Sequence, residues 1–234
     1  MVAPNPIAFT IFGIDIMWYG ILIGIGFLLA ITISYKRAPL HGIESEHILD
    51  LSIWIIPSAI VGARLYYVIF SWSSYDGNLK AMLNIRGGGL AIHGGIIACV
   101  IVSYFVCKHS KMDLIEVFDL MFPAVALAQS IGRWGNFFNS EAHGGPTTLP
   151  WGILVDGQYV HPTFLYESIW CFLLFWFLLY VDKRRKFKGQ IVCLYGILYS
   201  TERFFVEQLR TDSLMIGSFR QAQVISFVIF AVCL

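Results

Sequence analysis

Arg133, Asn136, Asn139 and Glu141 stand together in "GRWGNFFNSEAHGG" (132–145), directly after the apolar run "VFDLMFPAVALAQSI" (117–131). A guanidinium at the rim of an apolar segment is suited to binding phosphate or carboxylate, because its planar fork of donors matches either anion. A second arginine lies in "YSTERFFVEQLR" (199–210), where Arg203 and Glu207 fall four residues apart and share one face of a helix, with Tyr199 one turn earlier on the same stripe. A proton acceptor is available in "RGGGLAIHGGIIA" (86–98), where His93 sits among glycines that leave its imidazole little steric cover. Glu167, in "HPTFLYES" (161–168), is a further carboxylate inside an apolar stretch, placed to pair with an arginine.

Each of these groups also has a plain structural reading. An interior arginine can lock two helices by pairing with an acid, a histidine can be a satisfied packing residue, and tyrosines at a span boundary belong to the aromatic belt. Arg64, Arg133 and Arg203 together argue for more, since each costs about 2.5–3.5 kcal/mol at the centre of a spanning helix.

The chain that must position these groups has 234 residues, of which 57% are hydrophobic and only 13% charged. A soluble domain carries about twice that share of charge, so the composition specifies an integral membrane protein, read as a single helical domain over residues 1–234. A formal net charge of +1 leaves no basis for a nucleic-acid partner. Five cysteines without CxxC spacing predict neither a disulfide frame nor a metal site, and nothing calls for a cofactor. The first residues lack the positive region of a cleavable signal peptide.

Seven stretches read as spanning helices: roughly 16–35, 48–70, 90–107, 114–132, 163–181, 190–206 and 220 to the end. The expected architecture is therefore all-α and polytopic, with about seven transmembrane helices. The last stretch covers only about 21 Å as a helix, short of a hydrocarbon core of about 30 Å. Nine of the sixteen basic residues (Lys36, Arg37, Lys108, Lys111, Lys183, Arg184, Arg185, Lys186 and Lys188) follow the first, third and fifth spans. Lys80, Arg86, Arg210 and Arg220 occupy the other loops. The positive-inside rule then places the N-terminus outside, the C-terminus inside and "GRWGNFFNSEAHGG" on the extracytoplasmic face. His93, Arg133, Asn136, Glu141, His161, Glu167, Arg203 and Glu207 gather near that face, which suits a molecule with an anionic head and an apolar tail.

"GRWGNFFNSEAHG" (132–144) resembles the signature of the prolipoprotein diacylglyceryl transferase family, G-R-x-G/A-N-F-x-N-x-E-x-x-G. Further similarity runs through "WYG" (18–20), "GARLYYVIF" (62–70), "IHGG" (92–95), "HPTFLYE" (161–167) and "RFFVEQLR" (203–210), covering essentially the whole chain. Met17 stands where many members carry an arginine, and the stretch between Glu141 and His161 is compact, implying a small extracytoplasmic head.

The resemblance implies transfer of the diacylglyceryl group of phosphatidylglycerol to the thiol of a lipobox cysteine in a prolipoprotein signal peptide, with release of glycerol-1-phosphate. It implies a multi-pass protein of the bacterial plasma membrane, surrounded by membrane lipids, with its active site toward the extracytoplasmic side. By the same resemblance His93, Arg133 and Arg203 are the catalytic candidates. Tyr19, Asn136, Glu141, Gly144, Tyr199 and Glu207 fall on positions for binding substrate and orienting the arginines. A tyrosinate, a water or the lipid phosphate are other candidate proton acceptors. The competing reading is a transporter or channel for an anionic solute, although charge concentrated at one face and the lack of an internal repeat argue against it. No HExxH, G-x-S-x-G or pair of intramembrane aspartates supports a protease.

Overall fold

The computed structural model describes residues 5–75, 77–85 and 88–234, so Arg86 of the loop-charge tally lies outside the described residues. The chain packs as two compact units, one formed by the segment up to Ser34 together with Phe118–Leu234, the other by Tyr35–Val117.

In the first unit, β1 (Ile7–Ile11) pairs antiparallel with β2 (Ile14–Met17). Phe12 and Gly13, both at positive φ, make the tight turn whose twist matches the strands. Trp18 begins α1 (Trp18–Arg37), which packs on α5 (Leu114–Phe138) closely enough that a Cβ on Gly26 would lie 3.2 Å from the Ala128 carbonyl oxygen. After α5 comes a second hairpin, β3 (Ile153–Val155) with β4 (Gln158–Val160), turned by Asp156-Gly157. Ile153, Val160, Phe137 and Phe164 bury one face of that hairpin.

Two long helices follow, α6 (Thr163–Asp182) and α7 (Gln190–Leu209). The start of α7 is fixed from the side by Asp119 of α5, whose carboxylate accepts the backbone N–H groups of Gly189 (2.7 Å), Ile191 (3.1 Å) and Val192 (3.0 Å). An anion there satisfies otherwise orphaned donors and complements the helix dipole. Leu174, Phe175 and Leu178 of α6 close on Ala126 of α5 and on Ile191 and Tyr195 of α7. A last hairpin, β5 (Met215–Ile216) with β6 (Phe219–Arg220), leads into α8 (Gln221–Cys233), which lies along α7.

The second unit holds α2 (Ser45–Phe70), the short α3 (Leu79–Leu83) and α4 (Ile92–His109). α2 and α4 meet through glycine: a Cβ on Gly94 would collide with the Gly62 carbonyl oxygen and Tyr66 Cβ. Arg64 of α2 donates to the carbonyls of Ala81 (2.8 Å), Met82 (2.9 Å), Gly88 (2.8 Å) and Gly89 (2.9 Å), binding the polar loop before α4 to the helix wall.

Among the described residues, five helical stretches are long and apolar enough to cross a membrane: Trp18–His41, Ser45–Phe70, Ile92–His109, Leu114–Phe138 and Thr163–Asp182. The protein is thus a polytopic, mainly helical membrane protein. α7 and α8 stand where two more spans were expected, but α7 spends part of its length on Glu202, Arg203 and Glu207, and the thirteen residues of α8 rise only about 20 Å. The three short hairpins were not expected from the sequence.

Candidate active site

α5, α6 and α7 converge on one carboxylate. Glu167 is fully buried, and its Oε1 lies 2.6 Å from Nη1 of Arg203 and 3.1 Å from Nη2 of Arg133. Arg203 reaches with Nη2 to Glu207 Oε2 at 2.6 Å, the i,i+4 pair anticipated from spacing. Arg133 also donates to the Tyr199 hydroxyl at 3.2 Å. Arg133, Tyr199, Arg203 and Glu207 are therefore one network, and Glu167, which the sequence suggested would pair with an arginine, is its hub.

The network is held in place by neutral bonds between α5 and α6. Ser130 Oγ donates to the Ser168 carbonyl (2.8 Å), Ser168 Oγ donates to the Ser130 carbonyl (2.9 Å), and Trp134 Nε1 donates to Ser168 Oγ (3.1 Å). Ser168 adjoins Glu167, and Ser130 precedes Arg133 by one turn, so these bonds set the register of both charged side chains. On α7, the Tyr199 ring stacks on Tyr195 at 5.4 Å, and the Tyr195 hydroxyl donates to Gln129 Oε1 at 2.7 Å.

Arg133 and Arg203 are not fully enclosed, since their side chains keep 20% and 17% of their accessible surface. Each guanidinium has five N–H donors, so the contacts to Glu167, Tyr199 and Glu207 leave further donors for a ligand.

Around this network lie the remaining candidates of the first unit. Asn136 and Asn139 both donate through Nδ2 to Glu141 Oε1, at 3.0 and 3.3 Å, which pins the carboxylate beside the end of α5. Gly144 is required by crowding: a Cβ there would stand 2.7 Å from His161 Cβ and 3.0 Å from the Leu209 carbonyl oxygen. Its N–H donates to the His161 carbonyl (2.9 Å) and that of Gly145 to the Leu209 carbonyl (2.9 Å), tying the loop after α5 to the end of α7. Tyr19, in the first turn of α1, lays its half-exposed ring against Gly135, where a Cβ would collide with it.

Beyond the end of α7, Arg210 grips Asp212 with two bonds of 2.9 and 2.7 Å. Partial burial raises the Asp212 carboxyl, but the Arg210 guanidinium outweighs it and holds the group below its ordinary value. Arg220 caps the same end by donating to the carbonyls of Glu207 and Arg210.

His93 lies in the other unit, in the first turn of α4, with its ring 6.2 Å from that of Tyr66. Arg64, grouped by sequence with the other two interior arginines, is committed to backbone carbonyls and stands over the rings of Tyr67 and Tyr75. Its role is to build the second unit.

Helices long and apolar enough to cross a bilayer, with an arginine–glutamate network joining α5, α6 and α7, define a polytopic membrane protein. Comparison with known proteins makes this particular. A family model described as prolipoprotein diacylglyceryl transferase matches residues 6–234. Proteins named phosphatidylglycerol–prolipoprotein diacylglyceryl transferase from Finegoldia magna, Clostridioides difficile and Clostridium novyi are 56%, 52% and 50% identical to this chain. The alignments cover 95–96% of the chain and 90–91% of those proteins. The chain belongs to the prolipoprotein diacylglyceryl transferase family.

Proposed function

We propose that the protein transfers the diacylglyceryl group of phosphatidylglycerol to the lipobox cysteine of prolipoproteins, the first step of bacterial lipoprotein maturation. The observation that carries this reading is the convergence of Arg133 and Arg203 on Glu167, within a chain whose relatives bear that activity in their names. The cysteine sulfur attacks the glycerol carbon that bears the phosphate. A C–S bond forms, the C–O bond breaks, and the electron pair leaves with the phosphate oxygen as glycerol-1-phosphate. Charge grows on that phosphate in the transition state, where preorganised guanidinium donors are most effective.

In this reading Arg133 and Arg203 hold the phosphate. Glu167, Glu207 and Tyr199 aim the two guanidiniums through the bonds described above. Tyr19, Asn136, Glu141 and Gly144 belong to the substrate-binding surface and its support. His93 takes the thiol proton. A free thiol of pKa near 8.5 is only a few per cent ionised at neutral pH, so such a base is worth about 10²–10⁴-fold in rate. The helices α1, α2, α4, α5, α6 and α7 cross the plasma membrane with the N-terminus outside, and the shorter α8 enters it as the seventh. Glu141 and Gly144 then lie on the extracytoplasmic face, where secreted prolipoproteins present their cysteine.

The test is a stoichiometry. Purified protein with headgroup-labelled phosphatidylglycerol and a lipobox peptide should release one glycerol-1-phosphate per thioether formed, and none without peptide. Headgroup release that ignores the peptide would make the protein a lipase and overturn the transferase reading. His93→Gln should slow turnover while lipid binding persists. Equal slowing with a peptide whose nucleophile is already ionised would remove His93 from the base role.

A further inference from the structure

One acid in the centre of the first unit has no role in the mechanism above. Glu202 of α7, beside Arg203, is 7% exposed, and among the described residues neither of its carboxyl oxygens has a hydrogen-bond partner. Its electrostatic neighbours are Glu167, Arg133 and Arg203, with the Cys171 thiol of α6 also within reach. A buried carboxyl without a partner is expensive as an anion and far cheaper as the neutral acid.

The charge at this spot is set by few groups. α5 brings Arg133, α6 brings Glu167 and Cys171, and α7 brings Tyr199, Arg203 and Glu207 besides Glu202 itself. α8, packed along α7, has no ionisable side chain except Cys233, which lies against Gly196. Arg210 is matched by Asp212, and Arg220 is turned to backbone carbonyls at the end of α7. The two histidines of the head are engaged elsewhere, His143 Nδ1 with the Gly144 carbonyl and His161 Nδ1 with the Tyr166 hydroxyl.

Arg133 and Arg203 are therefore already balanced by Glu167 and Glu207. An ionised Glu202 would leave three carboxylates facing two guanidiniums, and a phosphodiester would have to enter a site of its own sign. A neutral Glu202 removes that repulsion without disturbing either ion pair. We propose that Glu202 sets the charge of the headgroup site, taking up one proton as an anionic lipid headgroup settles on Arg133 and Arg203. The inference rests on the assignment of those arginines to the lipid phosphate. It makes Glu202 a positioning residue that acts on the phosphate through the field at the site.

The experiment measures binding without chemistry. Full-length protein in neutral detergent micelles is titrated with fluorescent phosphatidylglycerol, in the absence of lipobox peptide, from about pH 5.5 to about pH 8.5. With wild type the Kd should rise with pH, approaching about tenfold per unit once Glu202 ionises in the free protein, because one proton is bound with each headgroup. Glu202→Gln, which keeps the shape and fixes the charge, should bind with a flat pH profile, and more tightly than wild type at the alkaline end. In weakly buffered solution, wild type should also take up protons from a pH-indicator dye as lipid binds, a readout that does not depend on the variant folding.

A pH-independent wild-type Kd without proton uptake, or the wild-type slope retained in Glu202→Gln, overturns the inference. Diacylglyceryl transfer observed alongside either result would leave the transferase reading standing. No binding of phosphatidylglycerol and no transfer would overturn both.

Discussion

Glu167 Oε1 lies 2.6 Å from Nη1 of Arg203, while the same oxygen is 3.1 Å from Nη2 of Arg133. One buried carboxylate on α6 thus joins an arginine on α5 to an arginine on α7, and the three helices share a single electrostatic joint.

Replacing Glu167 by Gln keeps the volume and removes the counter-charge. Taking one partner from a buried ion pair costs about 3–5 kcal/mol, and the residual exposure of both arginines puts this case near the lower end. Thermal unfolding in micelles should show a clear drop in Tm, and transfer activity should fall with it. A Tm equal to wild type would mean that the joint does not hold α5, α6 and α7 together.

Arg203→Lys preserves the charge and loses the fork. Lysine cannot reach Glu167 and Glu207 with two separate donors of fixed geometry while also facing a phosphate. Turnover should fall by about 10²-fold or more, with a much smaller change in stability. Near-normal turnover would show that position 203 supplies only a point charge.

The sequence made parts of this site visible and hid others for identifiable reasons. Arg203 and Glu207 are neighbours along one helix, so their pairing followed from spacing alone. Glu167 stands on a different helix from Arg133 and Arg203, and its role as hub depends on the Ser130–Ser168 register, which no local pattern encodes. Arg64 was grouped with the other interior arginines because its partners are backbone carbonyls, which have no sequence signature. The first hairpin was missed because "IAFTIFGIDIM" (7–17) is mostly apolar and merges into the following span, although Gly13 marks the turn and Thr10 donates to Asp15 across it at 2.7 Å. α7 covers the span expected over residues 190–206, but its polar residues Glu202, Arg203 and Glu207 keep it out of the five most apolar stretches.

Gly144→Ala tests the link between the head loop and α7. The added methyl would press on His161 and on the Leu209 carbonyl, and overpacking of this kind costs roughly 1–3 kcal/mol. Limited proteolysis should cut faster between residues 140 and 160, and transfer should drop. Unchanged proteolysis would contradict the crowding seen at this position.

Arg64→Lys should damage the second unit rather than the chemistry. A single ammonium cannot serve the carbonyls of Ala81, Met82, Gly88 and Gly89, which stand on partly exposed residues, so the loop should loosen locally. Hydrogen exchange should accelerate in α3 and the following loop. Loss of turnover with undisturbed exchange would instead assign Arg64 to the reaction.

The Arg210–Asp212 pair predicts a pH dependence of stability. The Asp212 carboxyl is held below its ordinary value near 3.9, so the pair's contribution is complete above that value and is lost as pH falls through the lower folded value. Asp212→Asn should therefore lower Tm at neutral pH, and the gap to wild type should close toward about pH 3. A gap that persists unchanged in acid would exclude this charge-assisted pair as the cause.

The most direct test of the central claim is the mass of the product. Purified protein is incubated with phosphatidylglycerol and a lipobox peptide, and the peptide is weighed by mass spectrometry. Wild type should add one diacylglyceryl group to the cysteine only when both substrates are present, and Arg133→Gln, folded and membrane-inserted, should add none. No adduct from folded wild-type protein, or wild-type rates in Arg133→Gln, would contradict the account.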